Sequence, residues 1–338
     1  MKINLNEARI LITGGTGSFG KRYVRNLLEE NPNIKRLVIY SRDELKQYDM
    51  STQYNEKNYP GIRYFLGDIR DKDRFKQALA DIDIVIHAAA LKQVPAAEYN
   101  PFEFIKTNIL GAQNVVESCL ESDSVKNIVA LSTDKASAPV NLYGATKLCS
   151  DKIFVSANYI SGNNNKKFSV VRYGNVIGSR GSVIPCFKKL DKNQEVPITH
   201  PDMTRFSISL NEGIDLVNYA LNNSKGGEIF IPKLPSYRIT DVAEAICPGQ
   251  KLKIIGIRPG EKIHESMITE SESLDTWEID NKFIIIPNGP TKWDKNLYLE
   301  ALNATKVKEG FEYSSGKNTK FLSIEEIKEI IEKEKIYD

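Results

Sequence analysis

Short apolar runs of strand length alternate with longer segments in which apolar residues recur at helical spacing. The runs lie at residues 10–12, 36–40, 62–69, 82–90, 128–131 and 168–173, and helical spacing follows the first run at Tyr23, Leu27 and Leu28. Such alternation, without a long-period repeat, is typical of a parallel sheet covered by helices on both faces. The pattern therefore predicts the α/β class, with a Rossmann-type doubly wound parallel sheet.

A glycine-rich turn follows the first apolar run. Residues 13–20 read Thr-Gly-Gly-Thr-Gly-Ser-Phe-Gly and fit both Gly-x-Gly-x-x-Gly, at 15, 17 and 20, and Gly-x-x-Gly-x-x-Gly, at 14, 17 and 20. Glycine allows a tight turn and a close approach to pyrophosphate, which the helix N-terminus attracts. A structural turn is the alternative. We predict a dinucleotide site with contacts from Gly14, Thr16, Gly17, Ser18, Phe19 and Gly20.

The second apolar run ends where a dinucleotide enzyme meets the adenosine ribose. The residues there are Ser41, Arg42 and Asp43. A guanidinium matches a 2′-phosphate, so Ser41 and Arg42 favour NADP over NAD. Asp43 leaves NAD open as the alternative, because a carboxylate would bind the ribose 2′-hydroxyl, and Arg42 could also be solvated.

Further cofactor contacts are expected where the next runs end. Asp68 is placed to reach the adenine amino group, or else to cap a helix, and the small residues at 88–90 let a cofactor lie close to the backbone. His87 is interpreted as a packed strand residue. Lys92 and Asn108 are candidates for cofactor or substrate contact, with a plain surface position as the alternative. The cofactor contacts predicted from these segments are Asp68, Ile69, Ala88, Ala89, Lys92 and Asn108.

The fifth run leads into residues that suit proton transfer. Ser-Thr-Asp-Lys at 132–135 follows it directly, at the strand end where open α/β sheets bind ligands. Tyr143 and Lys147 lie four residues apart, on one face of a predicted helix, so the ammonium is expected to lower the phenol pKa. Such a tyrosine can take a proton from an alcohol. Alone, the Tyr-x-x-x-Lys spacing is also compatible with a chance pair.

The regular alternation ends near residue 178, and prolines interrupt shorter segments beyond it. We predict an NADP-binding Rossmann domain over 1–178, with a returning segment near 206–240, and a smaller C-terminal substrate-binding lobe with a solvated terminal helix over 179–338. Asn175 is expected to meet an anionic substrate. Arginine can grip a diphosphate with two hydrogen bonds, so the polar candidates in the lobe are Arg205, Arg258 and Glu261. A surface ion pair is the alternative for Arg205 and Glu261.

Composition excludes several classes of partner. Lys and Arg number 46 against 44 Asp and Glu, so the net charge of +2 predicts no bulk attraction to nucleic acid or anionic membranes. The four cysteines show neither a disulfide framework nor metal-ligand spacing, so no metal is expected. Residues 1–9 lack a signal-peptide core and no run is long enough to span a bilayer. We expect a soluble cytoplasmic protein.

Taken together, these residues resemble the extended short-chain dehydrogenases/reductases that act on nucleotide sugars, and among them the inverting UDP-N-acetylglucosamine 4,6-dehydratases. The resemblance runs over nearly the whole chain. It is carried by the glycine turn and by the segments Tyr-Ser-Arg-Asp-Glu-Leu-Lys-Gln at 40–47, Ala-Leu-Ser-Thr-Asp-Lys-Ala at 130–136, Asn-Leu-Tyr-Gly-Ala-Thr-Lys-Leu at 141–148, Arg-Tyr-Gly-Asn-Val at 172–176, Arg-Gly-Ser-Val at 180–183, Met-Thr-Arg-Phe at 203–206, Arg-Pro-Gly-Glu-Lys-Ile-His-Glu at 258–265 and Gly-Phe-Glu-Tyr-Ser-Ser at 310–315.

The resemblance implies a function. It implies conversion of UDP-N-acetylglucosamine, with NADP, to a 6-deoxy-4-keto sugar inverted at C5, as the first step of pseudaminic acid synthesis in bacteria that modify flagellin or other surface structures. It also implies a homo-oligomer, such as a hexamer, and adds Val183 to the substrate contacts.

The implied residue roles follow the order of the reaction. Tyr143 accepts the C4 hydroxyl proton, with Lys147 beside the nicotinamide ribose and Thr133 at the C4 oxygen. Lys135, if neutral, removes the C5 proton. Asp134 protonates the departing C6 oxygen.

Two departures from the family pattern and three other functions stay open. Gln93 stands where such enzymes commonly have histidine, and Ser207 where tryptophan often follows Thr-Arg-Phe. A C4 epimerase needs no acid for C6, and retaining dehydratases carry Asp-Glu where this chain has Asp134 and Lys135. A non-catalytic NADP-binding regulator is the least favoured function, because such proteins tend to lose the tyrosine.

Overall fold

The computed structural model describes residues 3–162, 165–178 and 183–334. Residues 179–182, which include most of the Arg-Gly-Ser-Val segment, and residues 335–338 at the end of the chain lie outside these ranges, as do residues 1, 2, 163 and 164.

The six predicted apolar runs correspond to the first six strands, and further strands follow along the chain. The strands are β1 (Arg9–Thr13), β2 (Arg36–Ser41), β3 (Ile62–Leu66), β4 (Ile84–His87), β5 (Asn127–Thr133), β6 (Lys167–Tyr173), β7 (Asn175–Val176), β8 (Val196–Ile198), β9 (Thr204–Ile208), β10 (Ile229–Pro232), β11 (Ser236–Arg238), β12 (Leu252–Ile254), β13 (Ser266–Ile268), β14 (Thr276–Ile279), β15 (Lys282–Ile285), β16 (Thr305–Lys306) and β17 (Tyr313–Ser314).

Helices separate most of these strands. They are α1 (Ser18–Glu30), α2 (Glu44–Gln53), α3 (Lys72–Ala78), α4 (Val94–Tyr99), α5 (Pro101–Phe104), α6 (Gly111–Glu121), α7 (Leu142–Ile160), α8 (Val183–Phe187), α9 (Leu210–Asn223), α10 (Ile239–Ile246), α11 (Lys295–Ala301) and α12 (Ile324–Glu334). A π-helical turn spans Ile105–Leu110, and 3₁₀ turns span Asp134–Ala136 and Ser271–Asp275.

Within the described ranges, ten strands form the central sheet in the order β16-β14-β15-β10-β6-β5-β4-β1-β2-β3. The seven neighbouring strands β10, β6, β5, β4, β1, β2 and β3 pair in parallel. Strands β15, β14 and β16 add an antiparallel edge next to β10. Strands β2 and β3 lie on one side of β1, whereas β4, β5 and β6 lie on the other. The strand order therefore reverses between β1 and β4, which is where such sheets bind ligands. The predicted α/β, doubly wound parallel sheet is therefore confirmed.

Burial explains why these apolar runs form strands. Strands β1, β2 and β4 are buried along nearly their whole length, as expected when helices cover both faces of a parallel sheet. Strand β3 lies at the edge of the sheet, and only its first residue, Ile62, is buried. The predicted runs at 62–69 and 82–90 leave the sheet at Leu66 and His87, so their last residues form the loops that face the ligand edge.

A second, smaller core lies beyond the sheet. Strand β9 pairs with β11 and β7, and β8 pairs with β12. Helices α10 and α12 pack beside them around a cluster that includes Phe187, Tyr237, Val242 and Ile327. Strand β10 and strands β14 to β16 belong to the central sheet instead. The division into domains at residue 178 stays a prediction.

The glycine turn fixes how close α1 comes to β1. A methyl group at Gly20 would lie 2.4 Å from the carbonyl oxygen of Gly15. On α1, Tyr23, Val24 and Leu27 pack into the core, so the helix cannot move away without opening that core.

We expect Gly20→Ala to lower the free energy of unfolding by about 1–3 kcal/mol, because the added methyl group overlaps backbone atoms that cannot move aside. Gly213 on α9 is the matched control. A methyl group there would first meet the Tyr173 ring at 3.8 Å, so Gly213→Ala should be neutral or stabilise by up to about 1 kcal/mol. Urea unfolding of both variants measures the difference. Equal stability of the two would contradict this account of the turn.

Candidate active site

The turn between β1 and α1 forms a cradle of backbone groups. Gly14 has φ of +66°, and a methyl group there would lie 2.9 Å from the backbone of Ala89. Gly17 caps α1 without a side-chain hydrogen bond, so its first amides are left for a ligand. Thr16 and Ser41 join their hydroxyls at 2.7 Å, beside the end of β2. Backbone N–H groups and a helix N-terminus in this arrangement suit a pyrophosphate.

The end of β2, where the ribose is expected, brings arginine and lysine side chains together with two aspartates. Arg42 is about half exposed, with its guanidinium 3.7 Å from Asp68. Burial by itself would raise the pKa of Asp68, but hydrogen bonds from Arg70 bring it below its ordinary value. Asp43 caps α2 by accepting a hydrogen bond from the Lys46 amide and is paired with the Lys46 ammonium. The Asp43 carboxylate, which kept NAD as the alternative cofactor, is thus engaged by the helix that it caps.

The end of β4 is held by a buried hydroxyl. The amides of Ala88 and Ala89 donate to the Thr13 hydroxyl at 3.1 and 3.2 Å, and Thr13 lies 2.9 Å from Nδ1 of His87. Since the Thr13 oxygen accepts both amides, its own proton points to the imidazole. Burial, with a smaller effect of Lys147, lowers the pKa of His87 to about 3, so this histidine is neutral and packed, as the sequence indicated.

Two other predicted contacts follow β4. Asn108 is buried in the π-helical turn, where its amide exchanges hydrogen bonds with the Leu91 backbone and donates to Thr146 on α7. It therefore fixes the loop after β4 rather than projecting into solvent. The neighbouring Lys92 is exposed and lines the cleft described below.

The most connected polar group of the site is the ammonium of Lys135. Its Nζ lies 3.0 Å from Oδ1 of Asp134, 3.1 Å from Oδ1 of Asn175 and 3.2 Å from Oε1 of Glu265. Asp134 is fully buried, accepts a hydrogen bond from the Thr133 hydroxyl at 2.9 Å, and has a second oxygen, Oδ2, with no partner among the described residues. A buried carboxyl group between a hydroxyl and an ammonium is arranged for proton transfer.

The protonation states differ from one sequence expectation. Burial by itself would lower the pKa of Lys135, but the carboxylates of Asp134 and Glu265 outweigh it and raise the pKa above its ordinary value. The neutral amine that the sequence analysis set as a condition for Lys135 is therefore not present in the ligand-free protein, because the neighbouring carboxyl groups offset desolvation. Burial raises the pKa of Asp134; the Lys135 ammonium opposes this effect and Glu265 reinforces it, so Asp134 is more readily protonated than an ordinary aspartate.

Tyr143 and Lys147 lie one turn apart on α7, as predicted. The helix begins after Asn141, whose side chain accepts the Gly144 amide at 2.8 Å. Burial raises the pKa of Tyr143 to about 12, against the opposing effects of Lys135 and of the Thr133 hydroxyl. The expectation that Lys147 lowers this pKa is not met, because Lys147 is itself buried and donates to the Leu131 carbonyl at 2.7 Å.

A cleft of about 510 Å³ opens beside Lys135. Arg205 is 8% exposed and uses one guanidinium nitrogen for the carbonyls of Thr204 and Ile263, so much of its donor capacity is already engaged. Arg258 and Glu261 form an ion pair at 3.2 Å on the cleft wall. The structure gathers all the predicted substrate contacts around this cleft, namely Lys92, Asn175, Val183, Arg205, Arg258 and Glu261.

Sequence reasoning missed one member of the cluster. Glu265 is 3% exposed, lies against Lys135 and Arg205, and lines the cleft, yet it was not predicted as a site residue. The available signal was its position at the end of the Arg-Pro-Gly-Glu-Lys-Ile-His-Glu segment, directly before the buried strand β13.

A second polar network, also missed, lies near Lys147. Asp151 accepts from the Ser132 hydroxyl at 2.7 Å and lies 3.5 Å from the buried Arg172, which pairs with Glu272 at 2.9 Å. Asp151 also opposes the effect of burial, which lowers the pKa of Lys147.

The part of the chain that the structure describes contains no cluster of three or more side chains able to hold a metal ion. Among its helices, none combines the length and apolar character needed to cross a bilayer.

Comparisons with known proteins agree with this geometry. The model of the polysaccharide biosynthesis protein family matches residues 10–287. A protein of Campylobacter jejuni named UDP-N-acetylglucosamine 4,6-dehydratase (inverting) is 55% identical over 331 residues, which cover 96% of this chain and 98% of the relative. A UDP-glucose 4-epimerase of Rickettsia bellii is 39% identical over 96% of this chain and 95% of its own.

A solved structure agrees over the full length. The X-ray structure of Pen from Bacillus thuringiensis matches with a TM-score of 0.87 and 38% identity, and the match covers 99% of this chain and 100% of the other. The chain therefore belongs to the polysaccharide biosynthesis protein family.

Proposed function

We propose that this chain is a UDP-N-acetylglucosamine 4,6-dehydratase that inverts C5 and forms UDP-2-acetamido-2,6-dideoxy-β-L-arabino-hexos-4-ulose. In the cell this reaction would begin pseudaminic acid synthesis. The main observation for this proposal is that Asp134, Lys135 and Tyr143 lie together at the end of β5. They lie beside the cleft that the predicted substrate contacts line. The 55% identity to a relative of that name supports the same substrate.

The dinucleotide cradle fits a nicotinamide cofactor, since a side chain at Gly14 would fill the space beside Ala89 and the first amides of α1 are uncapped. A nicotinamide cofactor held there would supply the hydride chemistry, as acceptor for the hydride of C4 and as donor to C6. Tyr143 takes the C4 hydroxyl proton, and Thr133 holds the C4 oxygen. Lys147 is fixed by the Leu131 carbonyl on the side of the helix that faces the sheet.

Water elimination depends on the pair that follows Thr133. Once C4 is a ketone, the C5 proton is acidic, and Lys135 removes it when its amine is neutral. Asp134 gives its proton to the departing C6 oxygen, a role that its raised pKa supports. A proton then returns to C5 from the opposite face, which gives the inverted sugar.

We infer that the cofactor is NADP. Arg42 offers a half-exposed guanidinium beside the ribose end, whereas Asp43 is engaged by the first turn of α2. A guanidinium binds a 2′-phosphate through charged hydrogen bonds, and a carboxylate there would repel it.

The alternative functions account for fewer features of the site. A C4 epimerase needs no acid at C6, although a relative with that name is 39% identical. A retaining dehydratase would share the elimination but not the stereochemistry, and a non-catalytic regulator would not require the buried Tyr143. The same proposal includes a cytoplasmic homo-oligomer, for which the exposed Tyr99, Phe102 and Leu110 provide apolar contact surface.

Incubation of the protein with UDP-N-acetylglucosamine and NADP⁺ in deuterated water tests the reaction directly. We expect proton NMR to detect a 6-deoxy-4-keto product with deuterium at C5 and inverted configuration, because the C5 proton is exchanged with solvent-derived protons. A product of retained configuration would leave a dehydratase without inversion. A C4 epimer formed without loss of water would replace the proposal by the epimerase.

Asp134→Asn should slow water elimination by about 100-fold or more, since general acid catalysis of this kind contributes about 10²–10⁴-fold. C4 oxidation uses Tyr143, so addition of substrate should leave reduced cofactor that is visible by its absorbance. Tyr143→Phe is the matched variant, and it should form neither product nor reduced cofactor. If Asp134→Asn eliminates water at the wild-type rate, Asp134 is not the acid that protonates the departing C6 oxygen.

Arg42→Ala should weaken NADP⁺ binding by about 10- to 100-fold and leave NAD⁺ binding nearly unchanged, because the lost contact is a charged hydrogen bond to the 2′-phosphate. Isothermal titration calorimetry with both dinucleotides measures this. Lys72→Ala, which removes a cation paired with Glu117 and Glu121 on α6, is the control for loss of charge. Tighter binding of NAD⁺ than of NADP⁺ by the wild-type protein would overturn the inference.

A further inference from the structure

Glu265 is built into the site from a distant part of the chain. Its amide donates to the Ser315 hydroxyl at 2.9 Å, and its carbonyl accepts from the Ser315 amide at 2.7 Å. The Ser315 hydroxyl in turn contacts the Thr204 hydroxyl at 2.8 Å. Hydrogen bonds with Ser315, which in turn contacts Thr204, therefore fix the position from which this carboxylate meets Lys135.

Two cations orient the side chain of Glu265. Oε1 lies 3.2 Å from Nζ of Lys135 and 3.8 Å from Nε of Arg205, and Oε2 is buried with no hydrogen-bond partner among the described residues. An unpartnered buried carboxylate oxygen is costly, and protonation of the group lowers that cost. In the ligand-free protein, burial by itself would raise the pKa of Glu265, but Lys135, Arg205 and Lys262 bring it below its ordinary value. Glu265 thus has a short path to accept a proton from Lys135 once the balance between these effects changes.

We propose that Glu265 is a positioning residue that accepts the proton of Lys135 when substrate fills the cleft, and so produces the neutral amine that removes the C5 proton. This inference rests on the proposed dehydratase function. The side chain of Lys135 is 22% exposed and that of Glu265 4%, so a bound sugar that covers Lys135 takes the pair out of water. In a less polar surrounding, the neutral pair gains on the ion pair.

The proton balance closes within the cluster. One Lys135 N–H bond breaks as an O–H bond forms on Glu265, and the freed lone pair then takes the C5 proton. The electrons of the C5–H bond form the C5–C6 double bond, and the C6–O bond breaks as Asp134 supplies its proton to the leaving water. Lys135 ends as the cation, Asp134 as the anion and Glu265 as the acid, so the net charge does not change.

Other charged and titratable groups surround this pair and enter the same balance. They are Asp134 in the turn after β5, Lys92 in the loop after β4, Tyr143 on α7, Arg205 on β9, Tyr237 on β11 and Lys262 in the segment before β13. Arg205 and Lys262 favour the ionised Glu265, so burial by substrate has to outweigh them.

The pH dependence of kcat for elimination tests the transfer. In the wild-type protein the proton stays within the pair, so kcat should be nearly independent of pH around neutrality. In Glu265→Gln the proton must leave to solvent, so elimination near neutral pH should fall about 100-fold and then rise about tenfold per pH unit. Glu265→Asp keeps a carboxylate and should keep the flat profile at a lower rate.

Each other outcome contradicts the inference. A loss in Glu265→Gln that is equal at every pH would indicate a structural role, and higher relative activity at low pH would mean that Glu265 merely raises the pKa of Lys135. Glu228→Gln is the matched control, because it also removes a buried carboxylate, one bound to Ser224 and to the amides of Lys225 and Gly226. It should lower stability without changing the pH profile.

The readouts separate this inference from the proposed function. If wild-type protein does not consume UDP-N-acetylglucosamine, the dehydratase proposal fails. If it does, and Glu265→Gln still reduces the cofactor on addition of substrate while elimination keeps the wild-type pH profile, the dehydratase stands and the role of Glu265 fails.

Discussion

The contact of one ammonium with two buried carboxyl groups joins distant parts of this chain. Lys135 follows β5 of the central sheet, and Glu265 directly precedes β13, whose Met267 and Ile268 belong to the same hydrophobic core as the sheet. Burial of the ammonium is tolerated because carboxyl groups lie against it. The cleft lies beside this contact, so the chemistry and the tertiary arrangement depend on the same three side chains.

The ligand-free site is not yet set for the reaction. Burial raises the pKa of Tyr143 to about 12, and the neighbouring Asp134 and Glu265 raise the pKa of Lys135 against the effect of burial. Both states oppose proton abstraction, whereas the raised pKa of Asp134 already suits an acid. In this account, ligand binding supplies the change, because a nicotinamide brings positive charge near the phenol and a sugar removes water from Lys135.

Local sequence was enough for the parts of the site that lie within one βα unit. The glycine spacing predicted the turn at Gly14 and Gly17, and the four-residue interval placed Tyr143 and Lys147 on one helix face. The same reasoning assigned a wrong electrostatic effect to Lys147, since the spacing of two side chains does not reveal that the Leu131 carbonyl binds the ammonium.

The sequence by itself determined the first six strands, the glycine turn and the position of Asp134 and Lys135 at a strand end, because these follow from periodicity and from residues close in the chain. Tertiary structure alone decided which distant groups complete the site. Glu265 reaches Lys135 from a segment 130 residues further along the chain, and Arg205 is turned toward backbone carbonyls. Protonation states depend on burial and on charges brought together by folding, so no local pattern encodes them.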